Sequence, residues 1–303
     1  MQVNRLTLIV IVPLLVIIGA TAVLVVWSPR YVKPWDSLRG KVIRDVVYCT
    51  VNGVAVKMDI YYPEEIHADP LPVTVYIHGG GWTGGDKAQG EGMVDARALL
   101  ARGYVVVSIN YRLAPMYRFP AQIEDVKCAI RYLRANAERY HIDPERIGVF
   151  GSSAGGHLAA LLGVADETAG FDKGEYLDQS SRVRAVVDMF GPTNLTLLTS
   201  DPDHRRLIQQ VFGSVEILKL ASPVAHVSKE DPPFLILHGD KDPIVPLNQS
   251  TQLYERLKTD GVPVKLVVVK NGGHGFMSVG SQISPTRSEL TQMILDFFEK
   301  HLR

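Results

Sequence analysis

The first residues that could do chemistry are a serine and its flanking glycines. Residues 151–155 read Gly-Ser-Ser-Ala-Gly, with Ser153 in the central position. An apolar run typical of a strand precedes them, and a small-residue helical pattern follows. A serine on a sharp strand-to-helix turn is typical of an exposed nucleophile, because flanking glycines let neighbouring backbone approach closely. The pattern therefore predicts Ser153, and not Ser152, as a nucleophile.

A run of glycines follows an earlier apolar segment. Residues 78–82 read His-Gly-Gly-Gly-Trp, directly after the apolar residues 73–77. Acyl transfer develops negative charge on a carbonyl oxygen, and each preorganised backbone N–H aimed there contributes about 3–4 kcal/mol. A glycine run can direct successive amides at one point, although a flexible loop would have the same composition. Its position upstream of the serine favours oxyanion binding.

A candidate acid lies after the apolar residues 234–237. The next residues read His-Gly-Asp-Lys-Asp-Pro, and an acid after a strand downstream of the serine completes this kind of site. Asp242 is the preferred acid. Asp240 adjoins the strand, so we expect it to hold the turn together instead.

A candidate base lies after the apolar residues 264–269, in the segment Asn-Gly-Gly-His-Gly-Phe. Glycines on both sides place His274 on a loop. The chain order Ser153, Asp242, His274 predicts a catalytic triad in which the histidine takes the serine proton and the acid orients the histidine. Such chemistry needs no metal and no organic cofactor.

Other charged residues and histidines fit structural roles. We expect His78 to support the glycine run and His157 to face the first helical turn after Ser153. Arg112 and Asp125 have opposite charges and are near in sequence, so we expect them to form a structural ion pair.

The elements that must position these residues alternate between strands and helices. Residues 42–48 and 54–61 predict a hairpin around Asn52-Gly53. Later strands are expected at 73–77, 104–109, 146–150, 183–189, 234–237 and 264–269, and helices at 91–102, 120–139, 153–162, 247–258 and 288–302. This alternation predicts a mostly parallel sheet of about eight strands, covered by helices on both faces.

The N-terminal residues differ from the rest. Residues 6–27 carry no charge and exceed the about 20 residues that a membrane-spanning helix needs. We expect residues 1–27 to form a membrane anchor or uncleaved signal, residues 28–41 a linker and residues 42–303 the catalytic domain. Ala20-Thr21-Ala22 leaves a cleaved signal as an alternative. Basic residues after the span favour a cytoplasmic domain, whereas a signal-like start favours the opposite side, so the side of the membrane stays open.

Composition excludes some classes of partner. Lys and Arg together number 32, as do Asp and Glu, and no basic stripe favours nucleic acid. The two cysteines, Cys49 and Cys128, fit no zinc spacing and do not make a disulfide framework. Cys128 lies in a helical pattern beside apolar residues, so we expect it to be a small core residue. The cysteines leave the redox compartment undecided.

The sequence resembles the esterase/lipase branch of the α/β hydrolases over about residues 42–302. It is most similar to the bifunctional acetylxylan/feruloyl-esterase type and more loosely to hormone-sensitive-lipase-like esterases. The fragments that carry the resemblance are His78-Gly79-Gly80-Gly81-Trp82, Asn110-Tyr111-Arg112-Leu113-Ala114-Pro115, Gly151-Ser152-Ser153-Ala154-Gly155-Gly156 and His238-Gly239-Asp240-Lys241-Asp242.

The resemblance implies an α/β-hydrolase fold and an oxyanion hole formed by the amides of Gly80, Gly81 and Ala154. Two departures separate the chain from the lipase-like enzymes. They usually carry Asp just before the nucleophile, where this chain has Ser152. They also carry a helical cap ahead of the glycine run, where residues 42–77 here are mostly strand.

The substrate is less well defined by the sequence. Residues 194–223 predict a small helical lid beside the site, and Trp82 and Phe276 are candidates for an apolar acyl pocket or, equally, for the core. A compact, weakly capped site favours short-chain or acetyl esters, including carbohydrate-linked ones. The alternatives are a prolyl-oligopeptidase-like serine peptidase and a non-catalytic, membrane-tethered binding protein on a hydrolase scaffold.

Overall fold

An eight-stranded sheet organises the part of the chain that the computed structural model describes, namely residues 38, 40–66, 70–200 and 202–303. The spatial order is β1-β2-β4-β3-β5-β6-β7-β8. Strand β2 is antiparallel to β1 and β4, and the remaining neighbours are parallel. The strands are β1 Val42–Val51, β2 Val54–Tyr61, β3 Leu71–Ile77, β4 Val105–Ile109, β5 Ile142–Ser152, β6 Ala185–Met189, β7 Phe234–Gly239 and β8 Val264–Val269. The predicted mostly parallel sheet is confirmed.

The helices cover both faces of this sheet. They are α1 Met93–Ala101, α2 Ala121–Ala135, α3 Ala137–Tyr140, α4 Ala154–Val164, α5 Pro202–Phe212, α6 Glu216–Ala221, α7 Asn248–Thr259 and α8 Arg287–Leu302. Alternate strand residues face opposite sides, so the apolar side chains form two clusters. Helices α2, α4 and α7 pack on one cluster, and α1 and α8 pack on the other.

The helix expected at residues 120–139 is interrupted. It ends at Ala135, and α3 begins at Ala137. The Asn136 side chain donates a hydrogen bond to the Tyr132 carbonyl at 2.9 Å. Because asparagine competes in this way with the helical backbone, it favours helix ends over helix interiors.

The edge hairpin follows the local turn chemistry. Asn52 and Gly53 both have positive φ, 49° and 81°, as a two-residue type I′ turn requires. The predicted hairpin is therefore confirmed, and it places β1 at one edge of the sheet.

Cys128 is buried in the core, as expected, but it also forms a disulfide that the sequence did not predict. Both cysteines are 1 % exposed, and a disulfide joins Cys49 on β1 to Cys128 on α2 across a sequence separation of 79. Helix α2 packs against β1, and this packing brings the two thiols together. Neither spacing nor composition specifies such a contact.

The expected ion pair between Arg112 and Asp125 is present. Arg112 Nη2 lies 2.8 Å from Asp125 Oδ1, and the Arg112 amide donates to Asp125 Oδ2 at 2.8 Å. Both side chains are buried, so the charges compensate each other away from water.

Residues 194–223 form the predicted helical insertion. A 3-10 helix at Leu195–Ser200 is followed by α5 and α6. The buried residues Ile208, Val211 and Phe212 attach α5 to the core.

No helix within the described ranges has the length and apolar character needed to cross a bilayer. The anchor predicted at residues 6–27 lies outside the residues that the structure describes.

Candidate active site

Ser153 lies on a strained turn between β5 and α4. Its backbone φ and ψ are 55° and −120°, a conformation that residues other than glycine rarely adopt. A Cβ placed on Gly151 would come within 2.2 Å of the Gly155 carbonyl oxygen, and one on Gly155 within 2.1 Å of the Ile77 carbonyl oxygen. The two glycines are therefore required by close backbone contacts, which hold the turn against the end of β3.

The structure brings the three predicted triad residues together. His274 Nε2 lies 3.0 Å from Ser153 Oγ, and His274 Nδ1 lies 2.7 Å from Asp242 Oδ2. The residues follow β5, β7 and β8, whose carboxyl ends share one edge of the sheet. A carboxylate can only accept, so Nδ1 carries the proton that the acid binds and Nε2 is free to accept from the serine hydroxyl.

Asp242 is held as a carboxylate by its surroundings. Its Oδ1 accepts hydrogen bonds from the amides of Ile244 and Val245 at 2.8 and 2.9 Å. Burial alone would raise the pKa of Asp242, but the hydrogen bond and charge of His274, together with these amides, hold the pKa below its ordinary value. The acid is thus ionised and aimed at the imidazole.

Asp240 has a different position. It accepts a hydrogen bond from the Asn271 amide at 2.7 Å and lies 3.3 Å from Lys270 Nζ. These contacts join the turn after β7 to the segment after β8, in agreement with the structural role expected for Asp240.

The glycine run lies against the serine turn. A Cβ placed on Gly79 would come within 2.9 Å of the Ser152 carbonyl oxygen and 3.4 Å of Ser153 Cβ. Gly80 and Gly81 follow with positive φ of 112° and 59°, and Ala154 opens α4. The three residues that the resemblance assigns to an oxyanion hole are therefore on segments that meet at Ser153.

Two stacked rings support the glycine run. His78 is 2 % exposed, stacks on Tyr111 with ring centroids 4.3 Å apart, and binds the Gly79 carbonyl through Nδ1 at 2.7 Å. The Tyr111 hydroxyl donates to the His78 carbonyl at 3.0 Å. Burial lowers the pKa of His78, which keeps the ring neutral. No sequence pattern indicates this role of Tyr111, although Tyr111 lies in a fragment that carries the resemblance.

The Trp82 side chain is buried against the insertion. It is 4 % exposed, packs edge-on against Phe212 of the insertion, and donates from Nε1 to His157 Nδ1 at 3.1 Å. His157 Nε2 must then carry the proton and donates to the Ala221 carbonyl at 2.7 Å. Burial lowers the pKa of His157 to about 4, so this bridge between site and insertion is uncharged.

Phe276 is likewise buried, at 5 % exposure. Its ring centroid lies 4.9 Å from that of Phe190, which in turn lies 4.8 Å from the ring of His274. Phe276 and Phe190 therefore pack behind the histidine, and the core alternative fits Phe276 better than the pocket alternative. Phe190 has a positive φ of 46°, a feature that no sequence pattern revealed.

One residue of the insertion approaches the glycine run. A Cβ placed on Gly81 would meet Leu207 Cδ2 at 3.5 Å. The triad itself is accessible, because Ser153 is half-buried and the His274 side chain is 20 % exposed.

Within the described ranges, no group of three or more His, Cys, Asp or Glu side chains could hold a metal ion.

The sheet order, the turn at Ser153 and the arrangement of Ser153, His274 and Asp242 define an α/β-hydrolase scaffold with a Ser-His-Asp constellation at its strand ends. Residues 58–257 match the BD-FAE family model, and the chain belongs to that family. The resemblance to the esterase branch of the α/β hydrolases is confirmed.

Curated relatives include esterase LipC of Mycobacterium tuberculosis (strain ATCC 25618 / H37Rv), which is 32 % identical over 240 residues. That match covers 76 % of this chain and 59 % of LipC. The chain thus spans about three fifths or less of the length of the mycobacterial relatives LipC, LipM and LipQ.

Solved structures are also similar. A truncated carbohydrate esterase from gut microbiota superimposes with a TM-score of 0.74 at 32 % identity, covering 86 % of this chain and 96 % of that one. A propionate-bound thermophilic esterase of the planctomycete Thermogutta terrifontis gives a TM-score of 0.71 at 27 % identity, over 86 % and 94 % of the two chains. The same esterase has been solved phosphoramylated by tabun.

Proposed function

We propose that this protein is a serine carboxylic-ester hydrolase with Ser153 as its nucleophile. The observation that carries the proposal is the hydrogen-bonded series from Ser153 Oγ to His274 and from His274 to Asp242, with distances of 3.0 and 2.7 Å. Because Asp242 is buried and ionised, it fixes the imidazole tautomer that accepts the serine proton.

The proposed reaction has two halves. Ser153 Oγ forms a bond to the ester carbonyl carbon while His274 takes the hydroxyl proton, and the amides of Gly80, Gly81 and Ala154 bind the resulting oxyanion. The carbon–oxygen bond to the alcohol then breaks, and His274 returns the proton to that alcohol. Water, activated by His274, hydrolyses the acyl-enzyme and regenerates Ser153.

We propose short-chain or acetyl esters as substrates, including esters of carbohydrates. Leu207 lies near Gly81, and the Trp82 and Phe276 side chains are buried, so little open space beside the glycine run is left for a long acyl chain. The similarity to a carbohydrate esterase and to a propionate-bound esterase supports the same class.

A serine-reactive phosphonate probe tests the nucleophile. Wild-type protein and the neighbouring variant Ser152→Ala should be labelled, whereas Ser153→Ala should not. Labelling of Ser153→Ala to the wild-type extent would refute the assignment. An ester panel should then show preference for acetyl to butyryl over long-chain acyl groups, and hydrolysis of peptides without hydrolysis of esters would favour a peptidase instead.

We further propose that the apolar residues 6–27 tether the protein to a membrane and that the catalytic domain lies on an oxidising side. The buried Cys49–Cys128 disulfide supports this side, because disulfides are rare in reducing compartments. Protease treatment of intact cells should remove the domain, and alkylation of the protein unfolded in denaturant without reductant should leave both cysteines unmodified. Complete alkylation under those conditions, or protection from protease until the cells are lysed, would contradict this placement.

A further inference from the structure

Glu91 connects the two loops that carry Ser153 and His274. It lies in the segment between β3 and α1, and its Oε2 accepts a hydrogen bond from the buried Ser152 hydroxyl at 3.0 Å. The same side chain lies beside the histidine loop, since the position that a Cβ on Gly275 would take is 3.5 Å from Glu91 Oε1. Ser152 precedes the nucleophile and Gly275 follows the base, so one carboxylate binds the first of these neighbours and lies beside the second.

The hydrogen bonds that end at Glu91 have a defined direction. A carboxylate only accepts, so the single Ser152 hydroxyl proton points at Glu91. The Tyr76 hydroxyl, 3.1 Å from Ser152 Oγ, must then donate to Ser152, and it accepts in turn from the Gly92 amide. Each hydroxyl thus donates once and accepts once, and Glu91 terminates the series as its only charged member.

Ser152 links Glu91 to the turn that carries the nucleophile. Residue 152 of this chain is a serine, so the turn itself carries no carboxylate one residue before the nucleophile. Glu91 brings a carboxylate to the same turn from a separate segment, through the Ser152 hydroxyl.

We propose that Glu91 is a positioning residue that binds the Ser153 turn through the Ser152 hydroxyl and holds this turn and the His274 loop in register. The proposal rests on the ester hydrolase function proposed above. A hydrogen bond to an ionised acceptor is roughly twice as strong as one between neutral groups, so the charge of Glu91 matters as well as its shape. Small displacements of reacting groups lower the turnover rate strongly.

Three variants and a control separate charge, hydrogen bonding and simple packing. Glu91→Gln keeps an acceptor and loses the charge, and we expect kcat to fall about fivefold with KM unchanged. Glu91→Leu loses both, and we expect a fall of about 20-fold or more. Ser152→Asp combined with Glu91→Gln returns a carboxylate to the turn and should restore kcat to within about twofold of wild type. Glu138→Gln, an exposed glutamate on α3, is the matched control and should have wild-type kinetics.

The outcomes are distinct. Wild-type kcat in Glu91→Leu would refute the proposal. So would losses in both Glu91 variants that follow a fall in melting temperature and are not restored by Ser152→Asp, because a purely structural role predicts that pattern. If wild-type protein hydrolyses no ester and binds no phosphonate, the proposed function itself is wrong; if wild type is active and the Glu91 variants match it, only the role of Glu91 is wrong.

Discussion

Two buried aspartates near the nucleophile turn have opposite protonation behaviour. Asp242, in the loop after β7, accepts from His274 and from two backbone amides, and its pKa is lowered. Asp188, inside β6 beneath α4, accepts from the Gly191 amide at 2.9 Å. Among the described residues its Oδ2 has no hydrogen-bond partner. Burial raises the pKa of Asp188 to about 7, against the opposing effect of that amide.

The difference shows that burial alone does not decide the charge of a carboxyl group. Amides in a turn are free to bind a carboxylate, whereas the amides of a central strand are used by neighbouring strands. Asp242 follows its strand and finds free donors. Asp188 lies within β6, paired in register with Gly151 and Ile236, and the first free amide is that of Gly191 beyond the strand end.

The largest effect is expected on replacing Asp242, the ionised aspartate of the two. Asp242→Asn should lower kcat about 10⁴-fold, because the amide can donate to Nδ1 and stabilise the wrong imidazole tautomer. Ester hydrolysis and thermal unfolding, measured on the same preparation, separate this loss from misfolding. A fall of less than tenfold would show that another group orients His274.

Asp125 extends the comparison to a carboxylate with a full ionic partner. Asp125→Asn should lower the free energy of unfolding by about 3 kcal/mol, because it leaves the buried Arg112 guanidinium without its main counterion. Glu124, 3.2 Å from Arg112 Nη2, limits the loss. Urea unfolding measures the change, and Glu138→Gln is a surface control. A change below 0.5 kcal/mol would show that Arg112 is compensated elsewhere.

The smallest effect is expected on replacing Asp188, the aspartate whose pKa is raised, and Asp188→Asn should change the free energy of unfolding and its pH dependence. With its pKa raised in the folded state, the folded protein holds more protons than the unfolded chain between about pH 4 and 7, so stability falls as the pH rises through that window. The full rise in the pKa of Asp188 corresponds to a change of at most about 4 kcal/mol in the free energy of unfolding. The nearby N-terminus of α4 favours the carboxylate, so we expect a change of about 2 kcal/mol in that free energy.

The measurement is the difference in unfolding free energy between wild type and Asp188→Asn at pH 5 and pH 8. The variant should lose the part of the pH dependence that Asp188 contributes and gain stability relative to wild type at pH 8. Parallel pH profiles for the two proteins would show that Asp188 does not titrate in this range.

The sequence by itself determined the features whose requirements are local. These features are the glycines around Ser153, the Asn52-Gly53 turn and the loop residues after apolar strands. Each depends on the backbone conformation of a few consecutive residues, so a short stretch of sequence is enough to predict it. The parallel sheet followed from the alternation of apolar runs. Its strand ends then had to place Ser153, Asp242 and His274 at one edge.

Only the tertiary structure decided the contacts between distant segments. The Cys49–Cys128 disulfide, the packing of Trp82 on Phe212 and the hydrogen bond from Ser152 to Glu91 each join residues that are far apart in sequence and linked by no pattern. Such contacts depend on how helices and loops pack on the sheet. Packing is set by the shapes of many side chains together, and the spacing of residues along the chain does not predict it.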